Sequence, residues 1–163
     1  MSSLLIQKAE KLVALAKQKN ITIGTAESCT GGLIGATLTS VSGASAVFWG
    51  GIISYDNRVK ETVLGVSHQT LSTVGAVSED CALQMAKGAC RTLGTSFSVS
   101  VTGIAGPTGA TPTKPVGTVF IAVADKNGQA FCTENHFDGD RDAVRMQTVE
   151  KAIELLTEAV NRA

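Results

Sequence analysis

Aromatic residues are scarce in this chain of 163 residues: one Trp, one Tyr and five Phe, 4% in all. A platform that stacks successive bases of a single-stranded nucleic acid is therefore not expected. Neither sign of charge prevails, with 14 Lys and Arg against 14 Asp and Glu. The basic residues are scattered, so no stripe for a phosphate backbone and no nucleic-acid partner is expected. No apolar run approaches the roughly 20 residues that span a bilayer, which removes the membrane as a partner. The start, Met1-Ser2-Ser3-Leu4-Leu5-Ile6-Gln7-Lys8, meets Glu10 and Lys11 at once. It lacks a basic segment backed by a long apolar one, so no signal peptide is expected and the default address is cytoplasmic. Cys29, Cys81, Cys90 and Cys132 show no paired spacing. A zinc site or a disulfide scaffold needs such pairs, and these thiols read as reduced, small hydrophobes. His68 and His136 are far apart, so neither a metal nor another cofactor is expected.

What remains is an apolar chain, 44% hydrophobic and 17% charged, of a length that closes one core. One domain over residues 1–163 is expected. Low charge with many Ala and Gly residues suggests close helix–sheet packing, with some surface buried between subunits of a dimer or larger homo-oligomer.

Along residues 3–18, Leu5, Ala9, Leu12, Val13 and Ala16 recur at helical spacing, and Asn20 stops the pattern. Residues 21–25 alternate as a strand. Thr30-Gly31-Gly32 opens a second helix that Ser42-Gly43 ends. Val47 to Tyr55 reads as a strand, and Gly50-Gly51 within it suggests a bulge or a close backbone approach. Asn57-Arg58-Val59-Lys60 begins a short helix. Ser67 and Ser78 are good N-caps, the second opening a helix over 79–93. Residues 97–102 form a strand that enters a long loop, 103–115, holding all three prolines. Val116 to Asp125 and Gln129 to Phe137 flank Asn127-Gly128, a hairpin signal. A last helix starts near Asp140. Helices between the early strands imply parallel crossovers, and the hairpin adds an antiparallel strand. The expected fold is α/β: a mixed, mostly parallel five-stranded sheet with helices on both faces, a three-layer α/β/α sandwich.

Ligands of open α/β sheets bind beyond the carboxyl ends of the strands. Three segments qualify: Glu27 to Gly32, Tyr55 to Lys60, and Gly103 to Lys114. The first has three readings. Ser28 or Thr30 caps a helix, with Gly31 and Gly32 permitting the turn. Alternatively Ser28 is a nucleophile whose oxyanion is held by first-turn N–H groups. Third, those N–H groups cradle a phosphate. No His lies near, so a Ser-His-Asp triad is not expected, and Tyr55 and Lys60 are the available partners. A partly desolvated lysine can act as a base, and a tyrosine hydroxyl can relay the proton. Cys29 is a rival nucleophile, since thiolates at helix N-termini are activated. Arg141 and Arg145 share a helix face and either grip a phosphate or pair with Asp138, Asp140 and Asp142.

Five segments together resemble a known family: Thr25-Ala26-Glu27-Ser28-Cys29-Thr30-Gly31-Gly32, Gly75-Ala76-Val77-Ser78-Glu79, Thr102-Gly103-Ile104-Ala105-Gly106-Pro107, Lys114-Pro115-Val116-Gly117-Thr118-Val119 and Gly139-Asp140-Arg141-Asp142-Ala143-Val144-Arg145. They are similar to the C-terminal domain of the CinA (competence/damage-inducible) proteins, over about residues 5 to 160. The resemblance implies a three-layer sandwich and, for stand-alone members, hydrolysis of nicotinamide mononucleotide to nicotinic acid mononucleotide and ammonia, in bacterial pyridine-nucleotide recycling. It implies a metal-free mechanism with Ser28 as nucleophile, assisted by Tyr55 and Lys60. Glu27, Cys29, Thr30, Gly31, Gly32, Thr102, Gly103, Ala105 and Gly106 then fall on the substrate side, and Arg141 or Arg145 takes a nucleotide-binding role. Many relatives carry a further domain with nucleotide pyrophosphatase activity, and none is expected of this chain. The competing class is a non-catalytic regulatory module that holds a nucleotide by the same glycine turns.

Overall fold

Ser2 accepts a hydrogen bond from the Leu5 N–H and starts helix α1, Ser3–Gln18, in the computed structural model, which describes residues 1–163. The apolar stripe read from the sequence is the stripe buried: Leu5, Ala9, Leu12, Val13 and Ala16. Asn20, at φ 54°, ends the helix in the left-handed region that Asn tolerates better than most residues. The chain then alternates β1 (Ile23–Glu27), α2 (Leu33–Thr39), a 3-10 turn (Ala44–Ala46), β2 (Phe48–Ile53), α3 (Asn57–Thr62), α4 (His68–Thr73), α5 (Glu79–Leu93), β3 (Phe97–Gly103), β4 (Thr118–Asp125), β5 (Ala130–His136) and α6 (Arg141–Arg162).

The sheet order is β2-β1-β3-β4-β5. β1 pairs in parallel with β2 and with β3, whereas β4 pairs antiparallel with both β3 and β5. Four strands thus run one way and β4 alone runs back, so the sheet is mixed as expected. On one face α1, α2 and α6 enclose the main core, with Leu12, Ile23, Ile34, Val99, Ile121, Ile153 and Leu156 at its centre. Each such side chain contributes about 1.5–3 kcal/mol by leaving water. The other face is covered by α5, whose Ala82, Ala86 and Cys90 lie on Phe120, Ala122 and Ala124.

Several details differ from the sequence reading. β1 lies two residues later than expected, so Glu27 is the last residue of the strand and not part of the turn. α2 begins at Leu33, after the glycines. A separate helix, α4, follows Ser67, which accepts from the Thr70 N–H. β4 starts at Thr118 and not Val116. The register of β2 against β1 slips between Ile23 and Gly24, leaving Trp49 as the bulged residue beside Gly50-Gly51. On the central strand β3, Ser98, Ser100 and Thr102 alternate with Val99 and Val101 yet are all buried. Ser100 Oγ donates to the Ala82 carbonyl at 2.6 Å and Thr102 Oγ1 to the Ala76 carbonyl at 2.8 Å, so burial leaves these hydroxyls satisfied.

α5 approaches the α3–α4 connection so closely that a Cβ on Gly88 would stand 1.9 Å from the Leu64 carbonyl oxygen. Backbone cannot rotate away as a side chain can. Gly88→Ala is expected to lower stability by about 1–3 kcal/mol, measured as a fall in urea midpoint with an unchanged slope; a midpoint within error of wild type would refute this packing.

Candidate active site

β1, β2 and β3 end together at one rim of the sheet. Ser28 N–H donates to the Val101 carbonyl at 3.1 Å, and Ser54 N–H to the Glu27 carbonyl at 2.8 Å. These two bonds extend the parallel ladders just past the strand ends and fix where each exiting chain begins.

Glu27, only 2% exposed, turns its carboxylate under the turn that follows it. Oε1 accepts from Thr30 Oγ1 at 2.7 Å and from the Ile34 N–H at 2.8 Å, and Oε2 accepts from the Gly35 N–H at 3.0 Å. It therefore caps α2 from seven residues upstream, an anion at the positive end of the helix. Gly32 at φ 104° supplies the bend, and no side chain at that position caps. This corrects two expectations. Neither Ser28 nor Thr30 is the cap, so the Ser28 hydroxyl is free for another partner. Nor are the first-turn N–H groups of α2 open to an oxyanion or a phosphate, because Ile34 and Gly35 serve Glu27 and Leu33 N–H donates to the Thr30 carbonyl. The N–H groups of Cys29, Thr30 and Gly32 are the ones in this turn that donate to no other residue.

Lys60, on α3, is 1% exposed and heads the largest fully buried side chains. Its Nζ donates to the Ser54 carbonyl at 2.7 Å, to the Tyr55 carbonyl at 3.2 Å and to Ser28 Oγ at 3.1 Å. As an ammonium it has three donors for three acceptors. Burial disfavours that charged form and holds the pKa below the ordinary lysine value, although the nearby Cys81, Cys29 and Asp56 oppose the shift. When the amine is neutral, two N–H bonds still satisfy the carbonyls, and the lone pair is the group left to face Ser28 Oγ. The arrangement thus couples a serine hydroxyl to a base without a histidine.

Ser28, Cys29, Tyr55, Asn57, Lys60, Ala76, Val77, Thr102, Gly103, Ala105 and Arg141 line a cavity of about 190 Å³ above this pair. All three segments singled out in the sequence converge on it. Asn57, Ala76 and Val77 were not foreseen as lining. Ala76 and Val77 reach the wall because Lys114 Nζ, from the long loop, donates to the Val74 and Val77 carbonyls; only their membership of a quoted motif marked them.

Other foreseen residues have different roles. The Tyr55 side chain is 63% exposed, and its hydroxyl accepts from Arg141 Nη2 at 3.4 Å, bonding to neither Ser28 nor Lys60. Tyr55 holds the lysine through its backbone carbonyl. Arg141 also donates to the Gly106 carbonyl at 2.8 Å and spans the cavity mouth. Arg145 does not face the cavity. Its Nε donates to the Cys29 carbonyl at 3.1 Å and its Nη2 to the Thr30 carbonyl at 3.0 Å, so it pins the turn. Neither arginine pairs with Asp138, Asp140 or Asp142; Asp140 caps α6. Glu27, Thr30, Gly31, Gly32 and Gly106 lie behind the wall rather than in it.

Cys29 is not a competing nucleophile in this geometry. Its side chain joins the main core, and burial pushes its thiol up to about 11. Burial likewise raises Cys81 to about 11, Cys132 to about 12, and Cys90 above its ordinary value. A group titrating near 11 is ionised in about one molecule in a thousand at pH 8. Iodoacetamide at that pH is expected to leave all four thiols unmodified in the folded protein and to alkylate all four in urea, as read by peptide mass spectrometry; fast labelling of Cys29 in the native state would contradict this placement.

Comparison with known proteins agrees with this architecture. The model of the CinA C-terminal domain matches residues 6–160. A CinA-like protein of Leptospira borgpetersenii serovar Hardjo-bovis (strain L550) is 49% identical over 154 residues, which are 94% of this chain and 37% of that protein. One from Synechococcus sp. (strain ATCC 27144 / PCC 6301 / SAUG 1402/1) is 48% identical over 145 residues, 88% of this chain and 34% of that protein. The chain therefore spans about a third of the length of these curated relatives. Among solved structures, the competence/damage inducible protein CihA from Agrobacterium tumefaciens superposes with a TM-score of 0.94 at 41% identity, covering 99% of this chain and 98% of that one. A CinA superfamily protein from Klebsiella pneumoniae 700603 gives 0.93 at 30% identity, covering 98% and 99%. With the family model, the relatives and the fold in agreement, the chain belongs to the CinA family, as a CinA C-terminal domain.

Proposed function

We propose that this chain is an amidohydrolase that deamidates nicotinamide mononucleotide to nicotinic acid mononucleotide and ammonia. The observation that carries the reading is the 3.1 Å contact between Ser28 Oγ and the buried Nζ of Lys60 at the floor of the cavity. A module that only holds a nucleotide has no need to bury a lysine against a serine, a placement that costs several kcal/mol unless compensated.

In the proposed reaction the neutral Lys60 amine takes the hydroxyl proton while Ser28 Oγ attacks the carboxamide carbon. The carbonyl electron pair moves to oxygen, and the uncommitted N–H group of Cys29 stabilises it; one such donor is typically worth about 10²–10³ in rate. Collapse expels ammonia, which takes its proton back from Lys60, and leaves an acyl-Ser28 ester. Water then attacks the ester, Lys60 accepts its proton, and Ser28 Oγ departs with a proton to leave the carboxylic acid. Arg141, at the mouth with guanidinium N–H groups beyond those it uses on Gly106 and Tyr55, is the grip for the substrate phosphate.

Ammonia release from nicotinamide mononucleotide tests the reading. Ser28→Ala is expected to lower kcat by about 10³-fold or more, and Lys60→Arg by about 10²–10⁴-fold, because guanidinium stays protonated. Tyr55→Phe should change kcat less than about 10-fold, since its hydroxyl reaches neither reacting group, whereas Arg141→Ala should raise KM about 10-fold or more. The neutral amine is the active form, so kcat/KM should rise with pH through the lowered Lys60 pKa, with its midpoint below the ordinary 10.5. No ammonia from the wild type, or undiminished release by Ser28→Ala, would leave the regulatory nucleotide-binding reading in its place.

A further inference from the structure

The two edges of the sheet are built differently. β5 carries Glu134 and His136, both more than half exposed and within 3.6 Å of each other, the charged dressing by which natural edges avoid pairing. β2 carries none. From Ser28 through Tyr55 there is no Asp, Glu, Lys, Arg or His, a stretch that contains α2, the 3-10 turn and the whole of β2. Within it Trp49 is 58% and Ile53 56% exposed, and Tyr55 follows at the strand's exit; the chain's only Trp and only Tyr thus lie on the undefended edge.

The backbone of this edge also has unmet bonding capacity. Ser54 N–H points to β1, where it meets the Glu27 carbonyl. Successive peptide groups of a strand point to opposite sides, so the N–H groups of Ile53 and Gly51 face outwards with no strand beside them.

We propose that β2 is the interface through which this chain pairs with a second copy of itself, β2 antiparallel to β2, joining two five-stranded sheets into one of ten. The occupant follows from self-complementarity. A two-fold interface presents the same patch twice, so any charge in it meets its like, and this patch has none along its 28 residues. An apolar edge with an alternating row of N–H and C=O groups satisfies its own copy, and the chain's net charge of zero sets up no long-range repulsion. Gly50-Gly51 at mid-strand lets the two backbones meet without opposed Cβ atoms. Trp49 leans toward Gly94, the residue that caps α5, with its ring 3.7 Å from where a Cβ would stand there. It thus projects on the α5 face and would shield the seam, whereas Ile53, beside Gly32, covers the α2 face. The pairing also covers Tyr55 at the cavity mouth.

Sedimentation equilibrium and amide exchange by NMR on the whole chain test this. Wild type is expected at twice the chain mass, or an even multiple of it, and the Gly51 and Ile53 amides should gain protection as concentration rises. Trp49→Lys, which sets two like charges against the seam, should halve the mass and abolish that protection. Phe131→Lys on the β5 edge should alter neither. A monomeric wild type overturns the proposal. So does a Trp49→Lys protein that keeps both its mass and its protected amides, or dissociation by Phe131→Lys and not by Trp49→Lys. Should Trp49→Lys fail to fold, the concentration dependence of the wild-type Gly51 and Ile53 amides decides alone, and flat, fast exchange overturns the proposal.

Discussion

Burying a lysine amine is costly, and the site is organised around meeting that cost. Lys60 reaches under the rim of the sheet, where water cannot solvate it, and every acceptor it has is supplied by the ends of two neighbouring strands: Ser54 and Tyr55 beyond β2, Ser28 beyond β1. Those acceptors are in place because β1 and β2 run parallel in a register that pairs Glu27 with Ile53, so their chains leave the sheet side by side. The same constraint holds the amine's pKa below the ordinary lysine value. An environment that withholds solvent from the cation while offering only uncharged oxygens leaves protonated and neutral forms closer in free energy than in water.

The turn that carries Ser28 is held from two sides by opposite charges. Below it the Glu27 carboxylate gathers the Thr30 hydroxyl and two helix N–H groups, and above it Arg145 takes the Cys29 and Thr30 carbonyls. Charge-assisted bonds of this kind are the stronger ones, and here they act on backbone rather than on ligand. The serine is thereby presented in one orientation without itself serving as a cap. Small residues complete the arrangement: glycine at the bend, and on β3 the Ser100 hydroxyl that bonds to α5 backbone and the Thr102 hydroxyl that bonds to the segment before it, let the elements approach more closely than larger side chains permit.

Much of this was legible in the chain. Helical periodicity, the Ser67 and Ser78 caps, Asn127-Gly128 and the order of elements follow from local stereochemistry, and they led to a mixed five-stranded α/β sandwich. The three loops at strand ends were legible for the same reason, since parallel crossovers bring alternate loops to one rim. Roles within the loops were less so. Glu27, Thr30, Gly31, Gly32 and Arg145 read as substrate-side because sequence cannot tell which way a side chain leaves a turn, and Tyr55 read as a proton relay because proximity in sequence to Lys60 says nothing of where its hydroxyl goes. Asn57, Ala76 and Val77 carried no chemical signal by which spacing alone marks a wall.

The sequence by itself determined the class of fold and the absence of any long apolar span, because those depend on composition, period and residue type. Only the tertiary structure decided that Glu27 caps a helix seven residues on, that Arg145 grips backbone, that Arg141 bridges the mouth, and that Ser28 meets Lys60. Those are contacts between residues 7 to 116 positions apart, and such pairings are selected by register and packing, for which no local rule of the chain substitutes.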